Sequence, residues 1–170
     1  VQAILMRLSA DDARHPAPDA PDFPNELYDY LDLVTLGTVA DVAPIMGENR
    51  FFVSEGLQRL TREKRPGIAA LKEVAGQAGM EASVGMVGFV LAPRINAAGR
   101  LEHADAGVRL LVTQDRNEAM EIARRLDAIN RERQKIEEKI RKEAREMVLQ
   151  TPDLSSTRVL VLASEAWHPG

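Results

Sequence analysis

Apolar positions recur at helical spacing along most of the chain, so helices are the elements the pattern predicts. In "NELYDYLDLVTLGTVA" the residues Leu27, Leu31, Val34 and Leu36 are spaced for burial, and Gly37, Thr38 and Ala40 keep the helix end slim enough to approach another backbone. Pro44 prevents its continuation. "GENRFFVSEGLQRLTREKR" predicts a second helix and "PGIAALKEVAG" a third, with Pro66 in its first turn and Gly76 past its end. A helix through "ASVGMVGFVLA" is expected to break at Pro93, and "HADAGVRLLVT" gives a short one. Residues 9–24, rich in Pro, Asp and Ala, read as a surface loop.

The strongest pattern covers residues 115–150. Asp115 followed by Glu118 has capping-box spacing, and "TPD" ends the run, giving a helix of about 50 Å at the usual helical rise. Ala119, Ile122, Leu126 and Ile129 form one apolar set and Ile136, Ile140, Ala144 and Met147 another; "NRERQK" between them is polar on every side. Such a helix is expected to bridge two bodies across solvent. The alternative is a coiled coil, against which Arg133 stands where the seam would continue. A strand pattern appears only at Arg158–Ala163, with no second clear strand in the chain to pair with it. With Val1 at the start, the chain reads as an internal piece of a longer protein.

Composition narrows the classes. The chain has 170 residues, 45% hydrophobic and 28% charged, which is globular rather than disordered; with 4% aromatic residues the core must be mainly Ala, Val, Leu and Ile. The absence of cysteine excludes a disulfide framework and a thiolate metal site, and suits a cytoplasmic protein. No apolar run reaches membrane-spanning length. The net charge of −4 does not decide for or against nucleic acid, because binding follows local basic patches.

Two stretches carry candidate chemistry. Asp41 follows small, close-packing residues and is separated from the next helix by "VAPIMG". It is either a turn or cap aspartate, or a buried ligand for a cation, and the spacing leaves both open. In "APRINAAGRLEHADAG", residues 92–107, Asn96 is expected to cap a short turn, Ala97, Ala98 and Gly99 remove bulk, and Arg100 offers a planar fork for two phosphate oxygens. The plainer account is a surface loop whose arginines pair with Glu102 or Asp105. Arg131, Arg133, Lys135, Lys139, Arg141 and Lys142 could attract a DNA strand, but Glu132, Glu137, Glu138 and Glu143 favour pairing along the helix instead.

Together "LDLVTLGTVADVAPIMGENR", "RPGIAALKEVAG", "GFVLAPRINAAGRLEHADAGVRLLVT", "ARRLDAINRERQKIE" and "WHPG" resemble the RecJ family of single-strand-specific exonucleases, in the DHH phosphoesterase superfamily. The resemblance implies a chain that is mostly α here: residues 1–114 as the C-terminal part of an α/β DHH core domain, 115–151 as a long interdomain helix, and 152–170 as the truncated start of a second α/β domain with its first strand. It implies two cations, Mn²⁺ or Mg²⁺, with Asp41 as a metal ligand and catalytic residue, Arg100 contacting substrate phosphate, Asn96 shaping that contact, and His168 facing the cleft. Single-stranded DNA is the implied partner, with replication or repair proteins beside it, no membrane, and a cytoplasmic site of action in DNA repair and recombination.

The chain departs from the family in lacking an Asp-His-His string, an Asp-x-Asp, and the glycine-rich motif of the second domain. One carboxylate does not hold a hard divalent cation, so the isolated chain is expected to be inactive and to bind no metal measurably. The rival functions are a DHH phosphodiesterase for short oligonucleotides or cyclic dinucleotides, and a non-catalytic scaffold for DNA or replication proteins.

Overall fold

The structure, a computed structural model, describes residues 25–101, 105–150 and 158–167. A 3-10 turn, Asn25–Tyr30, leads into α1, Leu31–Ala40. Then come α2, Glu48–Arg62, and α3, Pro66–Val74. The short α4, Val84–Met86, runs through a π-helical turn, Val87–Leu91, into α5, Ala92–Leu101. Next are α6, Asp105–Val112, and the 34-residue α7, Arg116–Leu149. The mostly α expectation therefore holds, and no strand occurs among the described residues.

Local chemistry accounts for several boundaries. Pro66 stands at the start of α3, where its missing N–H costs nothing, and Gly76 just past the end takes φ +69°. Asp115 caps α7 by accepting from the N–H groups of Asn117 (2.7 Å) and Glu118 (3.2 Å). The returning arm of the capping box is rerouted. Glu118 accepts from the Thr113 hydroxyl and from Arg109, and Thr113 Oγ1 takes the Asp115 N–H at 3.2 Å.

The core gathers Leu36, Val53, Leu60, Ile68, Leu71, Val87, Leu91 and Leu110 around Ala119, Ala123 and Leu126 of α7. Close crossings depend on glycine. A Cβ at Gly56 would lie 1.9 Å from Thr35 Oγ1 and 2.2 Å from the Leu31 carbonyl oxygen, so α1 and α2 meet almost backbone to backbone. Lys72 is fully buried, yet its ammonium donates to the Met80 carbonyl at 2.7 Å and pairs with Glu63 at 2.5 Å, which satisfies the charge.

Three expectations need correction. On α1, Leu31 and Leu36 are buried but Val34 is not; Asp32 takes an inward position because Arg65 reaches it with two bonds, at 2.9 and 3.2 Å. The Leu27 side chain lies outside those described.

Pro93 does not end its helix. Just before it the Ala92 N–H bonds back to the Val87 carbonyl, a wider π spacing that takes the preceding carbonyls out of the α-helical ladder the proline ring would strike. Arg94 Nη1 also donates to the Val90 carbonyl at 2.6 Å.

The strand expected at Arg158–Ala163 is irregular, with Val159 77% and Val161 89% exposed. No described strand offers its backbone a ladder, and without one the extended pattern has nothing to pair with.

The long helix divides where the polar midsection begins. Ala119, Ala123, Leu126, Asp127 and Asn130 are buried against the helical body, and no residue of α7 beyond Asn130 is buried. Past the helix the chain turns back on it, where Trp167 Nε1 donates to Glu143 Oε2 at 2.9 Å.

Candidate functional site

Asp41 stands directly after α1, at its C-cap. Its N–H bonds to the Gly37 carbonyl (3.0 Å), that of Val42 to Val39 (3.2 Å), and that of Ala43 to Thr38 (3.1 Å). The last two are the paired closures of a Schellman motif, whose left-handed position usually belongs to glycine. Here it is Val42, at φ +54°. A β-branched residue in that region is a genuine outlier, and such strain clusters at functional sites.

The Asp41 carboxylate is exposed and takes no side-chain bond from any described residue. Among the described residues it is therefore neither a cap that satisfies helix N–H groups nor a buried ligand. Nor does it serve the helix electrostatically, because the C-terminal end already carries the negative pole of the dipole.

The helix that Asp41 follows packs against the elements that carry the second candidate stretch. The π turn packs against α1, so that a Cβ at Gly88 would meet Val39 Cγ1 at 3.5 Å, and α1 also touches α5. Asn96 lies within α5 and is exposed, which replaces the capped short turn expected for it. Arg100 follows four residues later on the same helix, so the two positions share a face. The structure thus brings together the helix end bearing Asp41 and the helix bearing Asn96 and Arg100. His168 lies outside the described residues, next to Trp167.

Arg94 anchors α5. Its Nε donates to Asp127 Oδ1 of α7 at 2.9 Å rather than to Asp105, and the two side chains are 14% and 9% exposed; Glu102 lies outside the described residues. Asp127 also pairs with Arg131 at 2.8 Å. Sequence reasoning missed this clamp, since the partners are 33 residues apart. It missed Phe89 as well, a ring in the π turn that is 84% exposed. The only available signal was its place seven residues ahead of Asn96.

Among the described residues no three His, Cys, Asp or Glu side chains are grouped to hold a metal ion. Hard divalent cations take about six or more oxygen ligands, so Asp41 alone does not make such a site and no catalytic step through a metal follows from these residues. No helix among them is long and apolar enough to cross a membrane.

No protein-family model matches the chain. It is similar to the single-stranded-DNA-specific exonuclease RecJ of Bacillus subtilis, 45% identical over 149 residues that cover 88% of this chain and 18% of that protein. The RecJ of Dickeya dadantii is 43% identical over 147 residues, covering 85% of this chain and 26% of that one. Among solved structures, the crystal structure of RecJ in complex with Mn²⁺ from Thermus thermophilus matches with a TM-score of 0.63 at 36% identity, over 85% of this chain and 20% of that one. The chain thus spans only 18–26% of the length of the two curated relatives.

Proposed function

The chain belongs to the RecJ family over the stretch it shares with these proteins, and from that premise we propose that it forms part of a metal-dependent, single-strand-specific 5′-to-3′ DNA exonuclease. The observation that carries the reading is the junction of α1 with the π turn and α5. It sets an exposed carboxylate, bonded by no described side chain, at the end of a helix that packs on the helix of Asn96 and Arg100, within a fold that matches a Mn²⁺-bound relative.

In this reading Asp41 gives one ligand to a cation site completed by other residues, and the cations are Mn²⁺ or Mg²⁺, the ions bound in the matching crystal structures. When bound, they would supply Lewis acidity and an activated water for phosphodiester hydrolysis. This chain's own part is to hold charge and shape around the strand. Asp41 presents a carboxylate on a rigid helix end, Arg100 meets substrate phosphate, Asn96 shapes that contact, and His168 faces the cleft. Residues 1–114 belong to the DHH core domain, 115–151 form the interdomain helix, and 152–170 open the second domain. The enzyme serves DNA repair and recombination in the cytoplasm, alongside replication or repair proteins.

The test is a graft. This chain replaces the matching 149-residue stretch of the B. subtilis relative, and Mn²⁺-dependent digestion of a labelled single strand is followed. An active graft whose Asp41→Ala variant folds but no longer cleaves supports the reading. Normal turnover in that variant removes Asp41 from the site.

A further inference from the structure

Phe89 is the most exposed aromatic ring among the described residues, at 84%, and no described ring or cation covers it. Tyr30, the next most exposed at 53%, lies beneath the Arg65 guanidinium, 5.9 Å from the ring centroid. A solvated phenylalanine gains nothing for the fold, because its apolar area stays in water.

Its position is specific. Phe89 lies in the π turn, and Asn96 and Arg100 follow seven and eleven residues later on the same continuous helix. Asn96 and Arg100 share one side of the helix, and Phe89 stands ahead of them on the same axis, about two turns before Asn96, with the π turn shifting its phase. The π turn itself is the kind of irregularity that recurs at functional sites. Its neighbour Gly88 packs on Val39, two residues before Asp41, so the turn that carries Phe89 rests on α1 near the end that bears the carboxylate.

From Phe89 to Arg100 is about 16 Å along the helix, within reach of the roughly four to sixteen nucleotides that sequence-tolerant single-strand sites engage. Such sites pair cations that track phosphates with aromatic rings on which bases stack. We propose that Phe89 is a stacking platform for an unpaired base of the DNA strand whose phosphate meets Arg100. The inference rests on the exonuclease reading and adds a reason for strand selectivity. Bases in a duplex are already stacked and paired and offer no free face to the ring, whereas a single strand does.

The test uses the active graft described above, held without divalent cation so that the strand is not cut, with a fluorescently labelled thymidine oligonucleotide, in binding titrations across a salt series, with the duplex as comparison. Phe89→Leu keeps an apolar side chain of similar size and removes the π face. It should weaken single-strand binding about tenfold, leave duplex binding unchanged and leave the salt slope as it was, because no phosphate contact is lost. Photocrosslinking to an iodouracil-substituted strand should map to Phe89 and vanish in the leucine variant. Arg100→Ala should instead reduce the salt slope by about one.

If Phe89→Leu binds like wild type while Arg100→Ala is weakened, the ring serves a protein contact in the longer enzyme; stacking is overturned and the exonuclease reading stands. If wild type shows no preference for the single strand and Arg100→Ala changes nothing, both fall together.

Discussion

Replacing Val42 with glycine isolates the strain at the end of α1. The left-handed conformation costs an L-residue about 1–2 kcal/mol through the clash of Cβ with the backbone. Val42 recovers little of that by burial, because it is 86% exposed. Glycine removes the clash, and its own greater loss of backbone freedom returns roughly 0.5–1 kcal/mol. The Schellman bonds from Val42 and Ala43 are backbone bonds and survive the change. Val42→Gly should therefore stabilise the chain by about 0.5–1 kcal/mol, a rise in Tm of about 1–4 °C for a domain of this size. Val42→Ala keeps a Cβ and most of the penalty, so it should move the midpoint by less.

Urea denaturation followed by helical circular dichroism measures both variants against wild type, with the slope checked for constancy so that a midpoint shift can be read as stability. A glycine variant less stable than wild type would refute the reasoning, since it would mean that the Val42 side chain is packed in solution or that its backbone is not left-handed.

Two further outcomes follow from other parts of the fold. Arg94→Ala should destabilise by less than the roughly 3–5 kcal/mol of a fully orphaned buried charge, because Arg131 still pairs with Asp127, whereas the double replacement Arg94→Met with Asp127→Leu should come close to wild type in the same urea assay. The Glu118 carboxyl is held below its ordinary pKa of 4.5, first by the Thr113 hydroxyl and then by Arg109. A depressed carboxylate contributes stability that is present above its unfolded value and lost as pH falls through its folded one. The Tm difference between wild type and Thr113→Val should therefore be full at neutral pH and shrink below pH 4.5.

What the sequence made legible was local. The Asp115 cap, the Pro66 start and the division of α7 at its polar midsection depend on residues within a turn or two of each other, and all three appear as expected. The misses involve partners far along the chain or absent from it. Asp32 faces inward because of Arg65, 33 residues later; Pro93 is accommodated by a π turn that propensity does not encode; the 158–163 pattern has no described strand beside it. For the candidate site, the placement of Asp41 at a helix end was readable. Its exposure, the strain at Val42 and the exposure of Phe89 were not, since none of them is set by residue type alone.

The same distinction bears on where nucleic acid would be drawn in. The basic residues of α7 were expected to pair along the helix rather than to track DNA, and the structure neutralises most of that charge locally. Arg131 pairs with Asp127, Arg133 with Glu137, Lys135 with Glu132, Lys139 with Glu143 and Arg141 with Glu138. A paired cation releases few counterions on meeting a phosphate, so these five add little to binding or to its salt dependence. Of the two arginines on α5, Arg94 is committed to Asp127, which is why the phosphate contact proposed for this helix is assigned to Arg100.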